Sequence, residues 1–64
     1  MYVLIFIHAG SNVDVTVVER GSDSDAVGYA FREALNHKSS SCYPDFDTVE
    51  IWKIDDCLVC SISF

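Results

Sequence analysis

The chain has 64 residues, half of them hydrophobic, and its ten acidic and four basic residues give a net charge of −6. A chain this short forms one domain, spanning residues 1–64, and its apolar content favours a packed core over disorder. Phosphate backbones and anionic lipid surfaces would repel the negative charge, so we expect no nucleic-acid partner and no membrane partner.

Two strands are predicted at the start of the chain. Residues 2–9 are apolar at both alternating sets of positions, which is typical of a central strand or of a strand at an interface. Residues 13–19 instead alternate between apolar and polar side chains. Between them, Gly10-Ser11-Asn12 has the composition of a turn, so the two strands should form a hairpin.

The register of this first hairpin stays open at the level of sequence. A two-residue turn at Gly10-Ser11 would place His8 opposite Val13 and Phe6 opposite Val15. A three-residue loop would instead pair Ile7 with Val15, which changes the face on which Val15 lies.

A helix is predicted to start within the segment Gly21–Asp25, which also ends the strand pattern. Ser22 is a suitable N-cap, with Asp25 at the third helical position, and acidic residues are favoured at the positive end of a helix. A helix of about sixteen residues would be about 24 Å long, enough to recross the sheet. Its predicted apolar stripe consists of Val27, Ala30, Phe31, Ala34 and Leu35. Residues 39–47 then form a loop.

A second hairpin is predicted from two β-rich segments, residues 48–54 and 57–64, separated only by Asp55-Asp56. A two-residue turn there would pair Ile54 with Cys57 and Trp52 with Val59. Glycine is the favoured second residue of such a turn, and Asp56 is a tolerable substitute because aspartate adopts positive φ more readily than most residues.

This register divides the hairpin into two faces, because opposite residues share a face. One face, with Val49, Ile51, Leu58, Cys60, Ile62 and Phe64, is the better core face. The other carries Trp52, Ile54 and Val59 beside Glu50. A small domain has difficulty covering both faces of a sheet, so we predict that these four residues form an exposed interaction surface.

The element order β-β-α-β-β predicts an α+β fold, in which one helix packs on one face of a four-stranded, mainly antiparallel sheet. The strand order 2-1-3-4 makes every neighbouring pair antiparallel and places the apolar first strand centrally. The alternative order is 3-4-1-2. In either case the helix-free side of the sheet would also expose residues 2, 4 and 6 or residues 3, 5 and 7 of the first strand.

The cysteines give little sign of chemistry. There are three, which is an odd number, and no signal peptide is recognisable, so we expect a reduced, cytoplasmic protein. Cys57 and Cys60 have C-x-x-C spacing, but an offset of three along a strand points the side chains to opposite faces. We therefore interpret both as small apolar residues rather than as a redox or metal pair.

No catalytic set is recognisable either, and we expect neither enzymatic activity nor a cofactor. Glu33 and His37 share a helix face, a spacing that suits a metal or an acid–base pair but equally a surface interaction. His8 near the end of the first strand is interpreted as structural. The aspartates 45, 47, 55 and 56 are expected to be solvated turn residues.

Three functions remain open. The first is a non-enzymatic interaction or inhibitor module, of the style of a small accessory or phage-type protein, that forms a homodimer or docks a protein partner through the helix-free side of the sheet. The second is a small-molecule or nucleotide-binding oligomer, with contacts from Tyr29, Arg32, Lys38, Tyr43 and Phe46. The third is an acidic mimic of nucleic acid that acts on a basic partner.

Overall fold

A computed structural model describes residues 1–64. The elements are β1 (Tyr2–His8), β2 (Ser11–Val18), α1 (Asp23–Lys38), β3 (Thr48–Lys53) and β4 (Leu58–Ser63). The four strands form one sheet in the order β2-β1-β3-β4, and every neighbouring pair is antiparallel. The predicted α+β fold and the order 2-1-3-4 are therefore confirmed, with α1 packed on one face of the sheet.

The start of α1 follows the predicted capping pattern. Ser22 has an extended backbone, and its hydroxyl accepts a hydrogen bond of 3.2 Å from the backbone N–H of Asp25. Asp23 and Asp25 lie in the first turn, where the helix dipole favours negative charge. The helix has sixteen residues and does not combine the length and apolarity that a bilayer-spanning helix needs.

The face of α1 that meets the sheet is made of alanines. Ala26, Ala30 and Ala34 recur every fourth residue and are completely buried, whereas Phe31 and Leu35 are about half exposed. The predicted stripe was therefore rotated by about one residue and was wrong for the two large side chains. Small side chains allow the helix to lie close to a sheet whose own core residues are large, and this leaves no room for Phe31 or Leu35 between the two layers.

The core lies between α1 and alternate residues of the two central strands. β1 contributes the side chains at positions 2, 4 and 6, and β3 contributes those at positions 49 and 51. Phe46, from the loop before β3, is also 1% exposed and packs edge-on against Phe6, with ring centroids 5.1 Å apart. Because one face of each strand is committed to this core, the face carrying Val3, Ile5 and Ile7 is the one without a helix.

The turn of the first hairpin is Ala9-Gly10, and both predicted registers were wrong. His8 pairs with Ser11, and Ile5 pairs with Val15 after a register shift between Phe6 and Ile7. Ala9 and Gly10 have φ values of 51° and 82°. Positive φ at both central residues defines the type I′ turn that suits tight hairpins, and it was missed because alanine rarely adopts this conformation.

The turn of the second hairpin has three residues, not the two that were predicted. The N–H of Asp56 donates to the carbonyl of Lys53 at 3.0 Å, and the N–H of Lys53 donates to the carbonyl of Cys57 at 2.8 Å. Only Asp56 has a positive φ, of 70°. One left-handed residue after a tight turn is the pattern of a three-residue loop, whereas the two-residue type I′ turn requires two.

A bulge in β4 compensates for the longer turn. Trp52 pairs with Leu58 rather than with Val59, and the register then shifts so that Ile51 pairs with Cys60, as predicted. Val59 is the extra residue and packs against the core. The predicted faces were therefore correct from Cys60 onward and exchanged at positions 58 and 59, because a bulge moves one residue out of alternation.

Candidate interaction surface

The face of the sheet opposite α1, here called the helix-free face, is continuous across all four strands. Residues that pair directly across neighbouring strands share a face, so the registers define its rows. In the order β2, β1, β3 and β4, these rows are Val17–Val3–Trp52–Leu58, Val15–Ile5–Glu50–Ser61 and Asn12–Ile7–Thr48–Ser63. The first row is wholly apolar, the second is half apolar, and the third is mostly polar.

The apolar part of this face is largely exposed on its two outer strands. Val15, Val17 and Leu58 are each more than half exposed, with Val17 at 57%. The β1 side chains between them, at positions 3, 5 and 7, are only partly buried. Large exposed apolar patches with a polar rim are typical of contact sites. The face of Val15 and Val17 stayed open at the level of sequence, and Leu58 was predicted on the opposite face, because these positions depend on the turns and bulges of the two hairpins.

Trp52 and Glu50 lie together on the helix-free face. The indole N–H of Trp52 donates to a carboxylate oxygen of Glu50 at 3.0 Å, so the polar atom of the indole is satisfied and the ring is held in one orientation. Trp52 also pairs directly with Val3 of β1 and with Leu58 of β4. Tryptophan is among the residues that most often contribute large binding energies at protein interfaces.

The other two residues of the predicted surface lie outside these three rows. Ile54 belongs to the β3–β4 turn and is 61% exposed, and its N–H donates to the carbonyl of Met1 at 3.2 Å. Val59 packs against the core on the helix side. Because β3 ends at Lys53, Ile54 lies in the turn beside Met1, whereas the bulge moves Val59 to the opposite face.

A second apolar strip lies on the flank of α1 beside β4. It consists of Phe31, Leu35 and Phe64, and the rings of Phe31 and Phe64 are stacked with centroids 6.0 Å apart. Phe64 also meets the edge of the buried Phe46 ring at 5.8 Å. These side chains shield one another, and the strip is narrower than the helix-free face. It is nevertheless a competing contact surface that experiments must distinguish.

His8 lies between two aspartates at the end of the sheet. Its Nδ1 atom is 3.8 Å from an Asp45 oxygen and 3.7 Å from an Asp47 oxygen. Asp47 also accepts hydrogen bonds from the backbone N–H of Ala9 at 2.9 Å and from the hydroxyl of Thr48 at 2.9 Å. The bond from Ala9 is the largest cause of an Asp47 pKa below the ordinary value of 3.8. Asp47 thus fixes the β1–β2 turn to the start of β3.

Removing the Asp47 carboxylate should make stability less dependent on acid. A folded-state pKa below 3.8 means that Asp47 stabilises the fold above pH 3.8 and that this contribution disappears as the pH falls through the lower, folded-state value. Asp47→Asn should therefore lower the free energy of unfolding at neutral pH, and the difference from wild type should shrink in acid. Urea denaturation at neutral pH and at several values below 3.8 measures this.

The matched control for this change is Asp55→Asn. Asp55 is an exposed turn residue, and its carboxylate accepts no hydrogen bond. This variant should follow the wild-type pH dependence. A constant difference between wild type and Asp47→Asn across the whole pH range would show that the carboxylate charge is irrelevant to the turn.

The helix pair Glu33 and His37 is engaged in structural contacts. Glu33 accepts a hydrogen bond of 3.2 Å from the Tyr29 hydroxyl, and the His37 ring is stacked on Tyr43 at 3.7 Å. The Tyr43 hydroxyl in turn donates to Asp14 at 2.5 Å, and burial together with this bond raises the pKa of Tyr43. The contacts of Glu33 and His37 on their shared helix face are therefore packing contacts, which connect α1 to the following loop and, through Tyr43, to β2.

The cysteines and other metal-ligating residues form no cluster. All three cysteines are free; Cys57 is exposed, and Cys60 is partly buried against the core. No group of three or more histidine, cysteine, aspartate or glutamate side chains is arranged to hold a metal ion.

The residues expected to contact a small molecule divide into two groups. Tyr29 and Arg32 line a common cavity on one side of α1, together with Arg20. Lys38 instead donates to the carbonyl of Phe46 and lies over its ring, and Phe46 itself is buried in the core. The set of five is therefore not one site. Arg20 was not considered in the sequence because its position beside α1 depends on how the chain leaves β2.

Comparisons with protein-family models, with curated proteins and with solved structures find no match for this chain.

Proposed function

We propose that the protein is a non-enzymatic interaction module that forms a homodimer through the helix-free face. The observation that carries this proposal is the exposed apolar row Val17–Val3–Trp52–Leu58, continued by Val15 and Ile5 in the next row. Helix α1 covers only the opposite face, so a second copy can supply the missing layer. Two sheets packed face to face are a standard solution for burying such surfaces.

The available area suits a small dimer. A standard interface buries about 800 Å² of accessible surface on each partner. The chain has 3890 Å² in total, so that burial would take about a fifth of its surface. In a two-layer molecule measuring 30 × 21 × 17 Å, one broad side has about that share. A chain of this size is also marginally stable alone, so association would add to its stability.

The net charge of the chain determines how dimer formation should depend on salt. Glu50 is the one carboxylate in the three rows of the helix-free face, while the whole chain carries a net charge of −6. Two such chains repel each other, and salt screens that repulsion over about 8 Å at physiological ionic strength. Association should therefore strengthen with salt. An acidic mimic that binds a basic partner would show the opposite dependence, since salt weakens an attraction between unlike charges.

The setting that best fits the proposal is the cytoplasm, where the three free cysteines would stay reduced. A foreign protein on the same face is the alternative occupant, and it differs from a homodimer in a simple way. A homodimer forms in the purified protein, whereas docking of a foreign partner requires that partner.

The direct test is to record amide spectra of isotope-labelled protein over a wide range of concentration. The proposal predicts concentration-dependent shifts in residues of the helix-free face, including Val3, Val17 and Leu58, and little change in the middle of α1. Shifts confined to Phe31, Leu35 and Phe64 would assign the contact to the flank of α1 instead. Spectra that do not change with concentration would contradict self-association.

A further inference from the structure

A second feature of the molecule lies away from the helix-free face. A cavity of about 340 Å³ opens beside the first half of α1. Its volume is at the lower end of the range of small-molecule sites, about 300–1,000 Å³. Gly28 forms part of its wall, and a Cβ atom at that position would meet nothing within 4 Å. The lining residues are Arg20, Ser24, Asp25, Gly28, Tyr29 and Arg32.

The cavity gathers both arginines of the chain. The chain has ten acidic and four basic residues, so an available carboxylate partner would be expected for each arginine. Both lysines do have such partners, since Lys38 lies 3.3 Å from Asp45 and Lys53 lies 3.6 Å from Asp23. Neither Arg20 nor Arg32 lies within 4.0 Å of a carboxylate oxygen. The two arginines without an ion pair therefore line the same cavity.

One of these arginines is held in place. The Arg20 guanidinium carbon lies 3.9 Å from the centroid of the Tyr29 ring, and one of its terminal nitrogens donates to the carbonyl of Glu19 at 2.8 Å. The Tyr29 hydroxyl is fixed by its bond to Glu33 at 3.2 Å. Stacking on the ring and this single bond leave most of the five guanidinium N–H donors of Arg20 unused.

We propose that this cavity, here called the arginine cavity, binds a small phosphate-bearing molecule through Arg20 and Arg32. Guanidinium groups recognise phosphate with paired, charge-assisted hydrogen bonds, and two of them together match a dianionic phosphate monoester. Ser24, whose hydroxyl can donate a hydrogen bond, also lines the cavity. Asp25 is the carboxylate that opposes an anion there, so the site should prefer ligands whose charge lies toward the arginines.

The test is a titration of isotope-labelled protein with inorganic phosphate and with glucose 6-phosphate, using chloride at matched ionic strength as the reference. The expected result is saturable shifts of the Gly28 amide and of the side-chain N–H groups of Arg20 and Arg32. Arg20→Gln and Arg32→Gln should each weaken binding by roughly tenfold, the usual effect of losing a charge-assisted contact. Lys38→Gln, which removes a paired charge elsewhere, should leave the affinity unchanged.

Both arginines are exposed, so their substitution should leave the fold intact, and the amide spectra themselves verify this. Saturation by succinate as tightly as by phosphate would show a carboxylate site and contradict the assigned ligand class. Shifts that grow linearly and affect the lysines equally would show unspecific ion binding and contradict the site altogether. The phosphate titration and the test for dimer formation can fail independently of each other. The mass of the protein is measured separately, and none of the residues that line the cavity lies on the helix-free face.

Discussion

Phe46→Ala should leave the protein largely unfolded at room temperature. Phe46 is 1% exposed although it lies in the loop before β3, and its ring packs edge-on against the rings of Phe6 and Phe64. Truncating a buried phenylalanine to alanine costs about 3–5 kcal/mol through lost apolar burial and the cavity left behind. A domain of this size has only about 3–5 kcal/mol of stability from its core. The change should therefore remove most of the stability of the fold.

The matched control is Phe31→Ala, because Phe31 is the same residue type at 47% exposure on the flank of α1. That change loses only the stacking on Phe64 and part of the apolar burial, so the variant should remain folded. Circular dichroism with urea denaturation distinguishes the two cases. Equal losses of unfolding free energy in both variants would show that Phe46 is not the core residue that connects the loop to the sheet.

Trp52→Glu should produce a folded monomer. The residue is on the helix-free face, where its side chain lies between Val3 and Leu58, so a glutamate there would place a charge in the proposed interface twice, once from each subunit. Losing an aromatic anchor costs about 2–4 kcal/mol, which corresponds to a roughly 30- to 1,000-fold weaker association. Val17→Glu, at a position that is already 57% exposed, should have the same direction of effect with less risk to folding.

Leu35→Glu is the matched control for these variants, because Leu35 is also about half exposed but lies on the flank of α1. It adds the same charge and should leave the dimer intact. Size-exclusion chromatography with light scattering compares the three proteins. If Leu35→Glu gives the monomer and Trp52→Glu does not, the contact involves the helix flank and the proposed interface is wrong.

Much of the architecture could be predicted from local patterns. The capping residue Ser22 indicated the helix start, and the element order β-β-α-β-β indicated the α+β class. The apolar first strand and antiparallel neighbours favoured the strand order 2-1-3-4. These features depend on the physics of single elements and of their nearest neighbours in sequence. The pairing of Ile51 with Cys60 was also correct, because the bulge in β4 restores the register that a two-residue turn would have given.

The details that define the candidate surface depend on backbone conformations that composition only weakly indicates. Ala9 adopts a positive φ that alanine rarely takes, and Asp56 takes the single left-handed position of a three-residue turn. Each shifts the alternation of its hairpin by one residue. The face of Val15 consequently stayed open between the two loop lengths, and Leu58 and Val59 were each predicted on the other's face.

The rotation of α1 and the arginine cavity depend on packing across the whole molecule. The apolar residues of the helix fit two stripes, and the alanine stripe faces the sheet because large sheet residues such as Leu4 and Ile51 fill the core. Arg20 meets Tyr29 across the connection from β2 to α1, a contact that sequence spacing does not encode. Both features depend on side chains that the sequence pattern does not relate to one another but that are adjacent in the folded molecule.

Sedimentation equilibrium of the wild-type protein, from micromolar to millimolar concentration and at low and high salt, tests the central claim most directly. Self-association through the helix-free face predicts a mass that rises with concentration from 7.1 kDa toward twice that value, and that rises at lower concentration when salt is added. It also predicts that Trp52→Glu stays at the mass of one chain throughout. A wild-type mass of 7.1 kDa at every concentration and salt level would contradict self-association through the helix-free face.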